Sequence, residues 1–226
     1  MSTELFITAA GTDVGKTLIT CALAHQLKAR GDPVRVLKPV ASGFDDDAPQ
    51  DSDTCHLLSA AGVEPTAAAI EAATPWRFHA PISPDMAAAR EGRAIDFAAL
   101  TDHCRAALTG EGVTLIEGIG GTMVPLTAGE TVRDLIKALD IPAVIVTGSY
   151  LGALSHALTA VGSLATQDIK IAGIVVSESE TTPVPLAETA AALARFTQIP
   201  VLTVPRLTPG ARAWEQVPDL TGLMTP

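Results

Sequence analysis

Residues 5–18 read Leu-Phe-Ile-Thr-Ala-Ala-Gly-Thr-Asp-Val-Gly-Lys-Thr-Leu: an apolar run, a turn carrying two glycines, then Gly15-Lys16-Thr17 opening a helical pattern. No other stretch restricts the fold as strongly. Backbone N–H groups approach phosphate oxygens closely only where no Cβ intervenes, which Gly11 and Gly15 allow. Lys16 then offers an ammonium to the terminal phosphates, Thr17 a hydroxyl to a magnesium ion, and the following helix the positive end of its dipole. The usual form of this loop has glycine where the chain has Ala10, with Gly11 one place later, so the loop is a variant. A lysine at a helix N-terminus opposes the dipole unless an anion sits there. The loop therefore predicts a nucleoside triphosphate.

At 226 residues the chain suits one domain over residues 1–226 and leaves little room for two enzyme domains. A formal charge of -10 repels nucleic acid and anionic membrane surfaces, so neither is an expected partner. Cys21, Cys55 and Cys104 are widely spaced, form no metal-ligand pattern and suit a reducing compartment. The apolar run at residues 141–146 is too short to span a bilayer and Glu4 stands where a signal peptide is basic. A cytoplasmic location is expected.

Apolar runs at 34–37, 113–116, 143–147, 171–176 and 201–204 alternate with helical patterns at 96–108, 131–139, 153–165 and 186–196. Such alternation requires a parallel sheet covered on both faces, an α/β fold of three layers (α/β/α) like that of phosphate-loop NTPases. The segment 41–81 is less regular and reads as an elaborated crossover, with a helix near 52–61. Ser83-Pro84 reads as the start of another helix. The tail, with Pro205, Pro209, Pro218 and Pro226, reads as loop or short helix, and Trp214 as a residue packing on the domain.

In parallel sheets ligands bind beyond the carboxyl ends of the strands. Those ends deliver the phosphate loop, Lys38-Pro39-Val40-Ala41-Ser42-Gly43, Glu117-Gly118-Ile119-Gly120-Gly121, and Gly148 to Gly152. Glu117 stands where a metal-directing acid belongs. Lys38 reads as an anion or transition-state contact. Asp53, in Asp51-Ser52-Asp53, reads on composition as a helix cap, and His25, His56, His79 and His103 as surface residues.

Taken together these blocks resemble the dethiobiotin synthetase family. The resemblance runs nearly end to end, through Thr12 to Thr17, Lys38 to Gly43, Asp53, Pro75, Phe78, Pro81, Ser83, Pro84, Glu91 to Arg93, Glu117 to Gly121, Leu151-Gly152 and His156-Ala157. It implies an ATP- and magnesium-dependent ligase that closes the ureido ring of dethiobiotin from 7,8-diaminopelargonate and carbon dioxide, through a carbamate and its phosphoric anhydride. Matching positions give Thr17, Asp53 and Glu117 to magnesium. They give the nucleotide Asp13, Val14, Gly15, Lys16, Thr17, Leu18, Asp53, Glu117, Gly118, Ile119, Gly120, Pro205 and Leu207. Thr12, Lys38, Ser42 and Gly152 fall to the diamine, with Lys38, Lys16 and Thr12 as catalytic groups. The resemblance also implies a homodimer in which the substrate's carboxylate tail reaches the neighbouring subunit near Gly152. Ser177 stands where better-known members have an adenine-reading asparagine, which implies looser base preference; Ser155 and Arg206 also depart from the family pattern.

Two other readings share the loop. A glutamine-dependent amidoligase would need a further domain. A regulatory or partitioning ATPase would carry an extra lysine where this chain has Ala9 and Ala10.

Overall fold

The computed structural model describes residues 4–208, 210 and 212–224. In chain order it contains β1 (Glu4–Ala9), α1 (Lys16–Ala29), β2 (Val34–Leu37), β3 (Val40–Ser42), α2 (Asp53–Ala61), α3 (Ala67–Ala73), β4 (Trp76–Phe78) and α4 (Pro84–Arg90). There follow α5 (Phe97–Leu108), β5 (Val113–Glu117), α6 (Val132–Leu139), β6 (Ala143–Thr147), α7 (Ala153–Ala165), β7 (Ile171–Ser177), α8 (Leu186–Ala194) and β8 (Val201–Val204). Six strands form one parallel sheet in the order β2-β5-β1-β6-β7-β8. The chain leaves β1 for β2, passing over the place of β5, and later returns to β6 on the other side. The carboxyl end of β1 is therefore the point at which the winding reverses, where a crevice opens.

Alternation along the strands sorts the core into two halves. Leu5, Ile7, Ala9, Val36, Leu115, Val144, Val146 and Val175 face a layer that includes α1 and α2. Phe6, Leu37, Ile116, Ala143, Ile145, Ile174 and Val176 face α5, α6, α7 and α8. The first half is finished by the tail. Trp214, Val217, Leu220, Leu223 and Met224 all join it, and the Gln26 side chain on α1 clasps the tail backbone, donating to Val217 O and Pro218 O and accepting from Leu220 N. Trp214, 7% exposed, is a core residue that covers an otherwise open helix layer. Short 3-10 turns at Ala213–Gln216 and Thr221–Met224 agree with the loop-or-short-helix reading, while Pro209 and Pro226 lie outside the described residues.

Two other details depart from the sequence reading. The crossover at 41–81 holds its own small parallel pair, β3 with β4, registered Val40↔Trp76 through Ser42↔Phe78. Three-residue strands carry no period to detect. His56 and His103 are not simple surface residues: His56 lies against the Trp214 ring at 6.1 Å and His103 stands edge-on to Trp76 at 5.8 Å, each half-buried.

Candidate active site

The phosphate loop leaves β1 and turns through two left-handed residues, Asp13 (φ 56°) and Gly15 (φ 94°), before α1 begins at Lys16. Gly15 occupies the N-cap and no side chain caps the helix, so the first amides of α1 remain free to meet an anion. The second glycine-rich turn is tied to the same place: Gly118 N donates to Ile7 O, and Thr122 N to Ala9 O, both at 2.9 Å. A Cβ on Gly121 would stand 3.4 Å from both Ala9 O and Gly11 N, so the two backbones run close together there.

Sheet register then assembles the charged groups. Leu37 pairs with Ile116, which sets Lys38 beside Glu117 one step further along. Because side chains alternate, Val36 and Leu115 face α1, and Lys38 and Glu117 face it too. Thr17 waits on α1 and Asp53 at the start of α2. Lys38 Nζ lies 2.6 Å from Glu117 Oε1 and 2.6 Å from Asp53 Oδ2, while Thr17 Oγ1 donates to Glu117 Oε1 at 2.9 Å. Glu117 is fully buried, Lys38 5% exposed and Asp53 open to the cavity.

The Asp53 reading is thus corrected. Ser52 is the cap, its Oγ accepting from Cys55 N at 3.3 Å, which leaves the Asp53 carboxylate free to pair with Lys38. Composition favoured a cap because Asp and Ser serve that role about equally well, and they are adjacent here.

Electrostatics follow from this geometry. Burial works against the Lys38 ammonium, but Glu117 and Asp53 outweigh it and hold its pKa above the ordinary lysine value. Burial likewise opposes the Asp53 carboxylate, yet Lys38, Thr17 and Lys16 hold it below the usual range. Lys16 differs. Burial pulls its pKa down, only partly offset by Glu117, and its ammonium forms no ion pair among the described residues. A lysine so placed is poised for an anion that the chain itself does not provide. The thiols are poor nucleophiles by comparison: burial pushes Cys21 up, with Glu117 adding to it, and Cys104 up to about 12.

Around these groups lies a cavity of about 680 Å³, lined by Thr12, Asp13, Gly15, Lys16, Thr17, Lys38, Ser42, Asp53, Ile119 and Gly120. Phe44, which the sequence reading did not single out, and Pro81, through which the family resemblance runs, add an apolar wall. A second cavity of about 350 Å³ opens on the other side of Asp13 and Gly15. Val14, Leu18, Ser177, Pro205 and Leu207 line it together with Glu178, Arg206 and Thr208. Gly118 is buried beneath the turn and lines neither cavity; Gly152 lies at the exposed start of α7, also outside both.

Magnesium suits the donor set. Thr17, Asp53 and Glu117 offer only oxygens, and Glu117 Oε2 is buried with no hydrogen-bond partner, an acceptor that lacks a cation. Magnesium takes one or two carboxylates and completes its shell with water and phosphate oxygens.

A family model described as an AAA domain matches residues 3–209. The ATP-dependent dethiobiotin synthetase of Methylobacterium nodulans is 48% identical over 91% of this chain and 94% of its own length. That of Acidiphilium cryptum is 46% identical over 85% and 87%. Among solved structures, the MinC:MinD cell division complex of Aquifex aeolicus superposes with a TM-score of 0.58 at 13% identity, over 95% of this chain and 86% of that one. The signal recognition particle receptor FtsY of Elizabethkingia anophelis gives 0.53 at 14% identity, covering 99% of this chain, which spans 64% of the receptor chain. These two likenesses show the phosphate-loop NTPase fold and nothing of activity.

Proposed function

The chain belongs to the dethiobiotin synthetase family of ATP-dependent ligases, and we propose that it closes the ureido ring of dethiobiotin from 7,8-diaminopelargonate and carbon dioxide. One amine adds to carbon dioxide and loses a proton, giving a carbamate. The carbamate oxygen attacks the terminal phosphorus of ATP and ADP leaves, forming a carbamic-phosphoric anhydride. The second amine attacks the carbonyl carbon of that anhydride; the ring closes as phosphate departs.

The observation that carries this reading is the meeting of Lys16, Lys38, Thr17 and Asp53 around one cavity, with Glu117 buried behind them against Lys38 and Thr17. Carbamate and triphosphate are both anions, and bringing them into contact requires cations that do not need to be recruited from solvent. Lys16 and the open amides of α1 hold the transferring phosphates. Lys38, the other buried lysine of the cavity, balances the carbamate. Thr12 and Ser42 line the cavity with hydroxyls able to orient the two amines. Thr17, Asp53 and Glu117 hold magnesium, which when bound offsets the charge of the triphosphate. The second cavity takes the nucleotide base, with Pro205 and Leu207 against it.

All 226 residues serve one ligase domain in this reading, and the active form is a homodimer. Leu151 is 88% exposed beside Gly152, so the start of α7 presents apolar surface together with free helix amides. That combination suits a partner subunit and the substrate's carboxylate tail. No helix of the described residues is long and apolar enough to cross a membrane, and three free, buried cysteines fit the reducing cytoplasm.

The test is phosphate release from magnesium and ATP with bicarbonate, with and without 7,8-diaminopelargonate, and product identified by mass. Diamine-dependent phosphate together with dethiobiotin is the expected result. ATP hydrolysis indifferent to the diamine would overturn the ligase reading and favour a switch ATPase.

A further inference from the structure

Lys38 has two demands on one ammonium. In the proposed reaction it faces the carbamate, yet its Nζ is held 2.6 Å from Asp53 Oδ2 and 2.6 Å from Glu117 Oε1, the two carboxylates assigned to magnesium. A magnesium ion binds carboxylate oxygens at about 2.0–2.1 Å. A divalent ion on the unpartnered Glu117 Oε2 and on Asp53 would draw on the same two carboxylates as the ammonium, in a site where Glu117 is wholly buried and water screens little. The two cations repel one another and compete for that pair of negative charges.

From this conflict we infer that Lys38 is the internal counter-ion of the metal site, displaced by the metal into the cavity where the anionic substrate lies. The inference rests on the proposed function for the identity of that substrate but not for the exchange itself. Lys38 is the first residue beyond β2, its long stem is flexible, and it lines the 680 Å³ cavity beside Ser42. Asp53 stands on α2 and Glu117 at the end of β5, both elements fixed by packing, so the lysine is the member free to move. Loading would then be ordered. With a metal bound, Asp53 and Glu117 would serve it, and the Lys38 ammonium would become available to a carbamate. Without the metal the same ammonium is engaged and the carbamate has no cation. A chain built this way avoids leaving the buried Glu117 carboxylate, or its exposed neighbour Asp53, unpaired at any stage.

The test measures metal binding with no nucleotide or diamine present. Manganese(II) alone is titrated into wild type and Lys38→Met, free ion being read by its electron paramagnetic resonance signal. Removing the competitor is expected to tighten manganese binding at least tenfold, and adding Glu117→Gln to Lys38→Met should abolish that gain. Equal or weaker binding by folded Lys38→Met, including no binding by either protein, overturns the inference, as does a gain that survives Glu117→Gln.

Should Lys38→Met not fold, wild type alone decides. Brief acetylation with and without manganese, read by peptide mass, should show Lys38 labelling rise at least tenfold while exposed Lys28, Lys137 and Lys170 change less than about twofold. Unchanged or reduced Lys38 labelling would overturn the exchange. Neither readout involves turnover, so failure of ring closure and failure of the exchange are separately visible.

Discussion

Gly15 links both cavities, and replacing it with alanine separates backbone strain from steric contact. Its φ of 94° is a conformation that costs an L-residue about 1–2 kcal/mol. Alanine also stiffens the unfolded chain, which returns about 0.4–1 kcal/mol. A Cβ at this position would stand 2.9 Å from Ser177 Oγ and 3.4 Å from Ser177 Cβ; the hydroxyl can rotate away, which adds only a few tenths of a kcal/mol. The net loss is roughly 1 kcal/mol, or about 2–4 °C in Tm for a chain of this size. Gly31 supplies the control: its φ is 90°, nothing lies within 4 Å of its would-be Cβ, and it follows the far end of α1. Gly15→Ala and Gly31→Ala should therefore lose similar Tm in a calorimetric scan. Only Gly15→Ala should also weaken ADP binding, by tenfold or more, because relaxing its φ turns the loop amides away from the phosphates. Adding Ser177→Gly should recover the contact fraction and little else. Full recovery by Ser177→Gly, or undiminished ADP affinity in Gly15→Ala, would refute the assignment of the cost to the backbone.

Lys16→Met should raise Tm while weakening ATP binding by roughly 10- to 150-fold, since a buried lysine with a lowered pKa is a stability deficit retained for an anion; a lower Tm in a folded Lys16→Met protein would contradict this. Asp53, with its pKa depressed from 3.8, contributes stability that is complete above that value and lost as pH falls below it. Lys38, with its pKa raised from 10.5, contributes stability present below 10.5 and lost only as pH rises beyond it. Urea midpoints should thus fall below about pH 4 more steeply in wild type than in Asp53→Asn, with no loss from this pair between about pH 5 and 10. Ser177 offers the base pocket one hydroxyl where an amide would offer a paired donor and acceptor, so kcat/KM for ATP, CTP and GTP should differ by less than about tenfold and Ser177→Asn should widen the spread; strict ATP selectivity in wild type would exclude this.

Much of this was legible in the sequence because the signals were local. The phosphate loop is contiguous, the strands at 143–147 and 201–204 are bounded by their own composition, and Glu117 and Lys38 each announce themselves at a strand end. What could not be read is pairing. That Lys38 stands beside Glu117 depends on a register between β2 and β5, whose residues lie 79 positions apart, and on β5 joining the sheet between β2 and β1. Asp53 was misread for the opposite reason, since two adjacent residues both make good caps and only the helix start shows which one serves. Trp214 carries no local sign of its partners either, because His56 and the α1 layer reach it across more than 150 residues of chain.

The same register explains why the charged cluster tolerates burial. Lys16 and Lys38 against Asp53 and Glu117 sum to zero, so this four-residue cluster is balanced as built although an isolated member would be costly to bury. Neutrality is distributed unevenly: Lys38 takes both carboxylates and Lys16 is left with no ion pair among the described residues, so the site already separates a satisfied cation from an unsatisfied one. A triphosphate gives the Lys16 ammonium a counter-charge, and a divalent ion relieves Lys38 of its carboxylates. Each addition thereby creates the condition for the next anion. A slip of one residue between β2 and β5 would turn Lys38 to the opposite face of the sheet, among Leu37, Ile116 and Phe6, and break this sequence of exchanges while leaving the phosphate loop intact. Nucleotide binding and ligase chemistry are therefore separable demands on the fold: the loop secures the first, and the β2–β5 register secures the second.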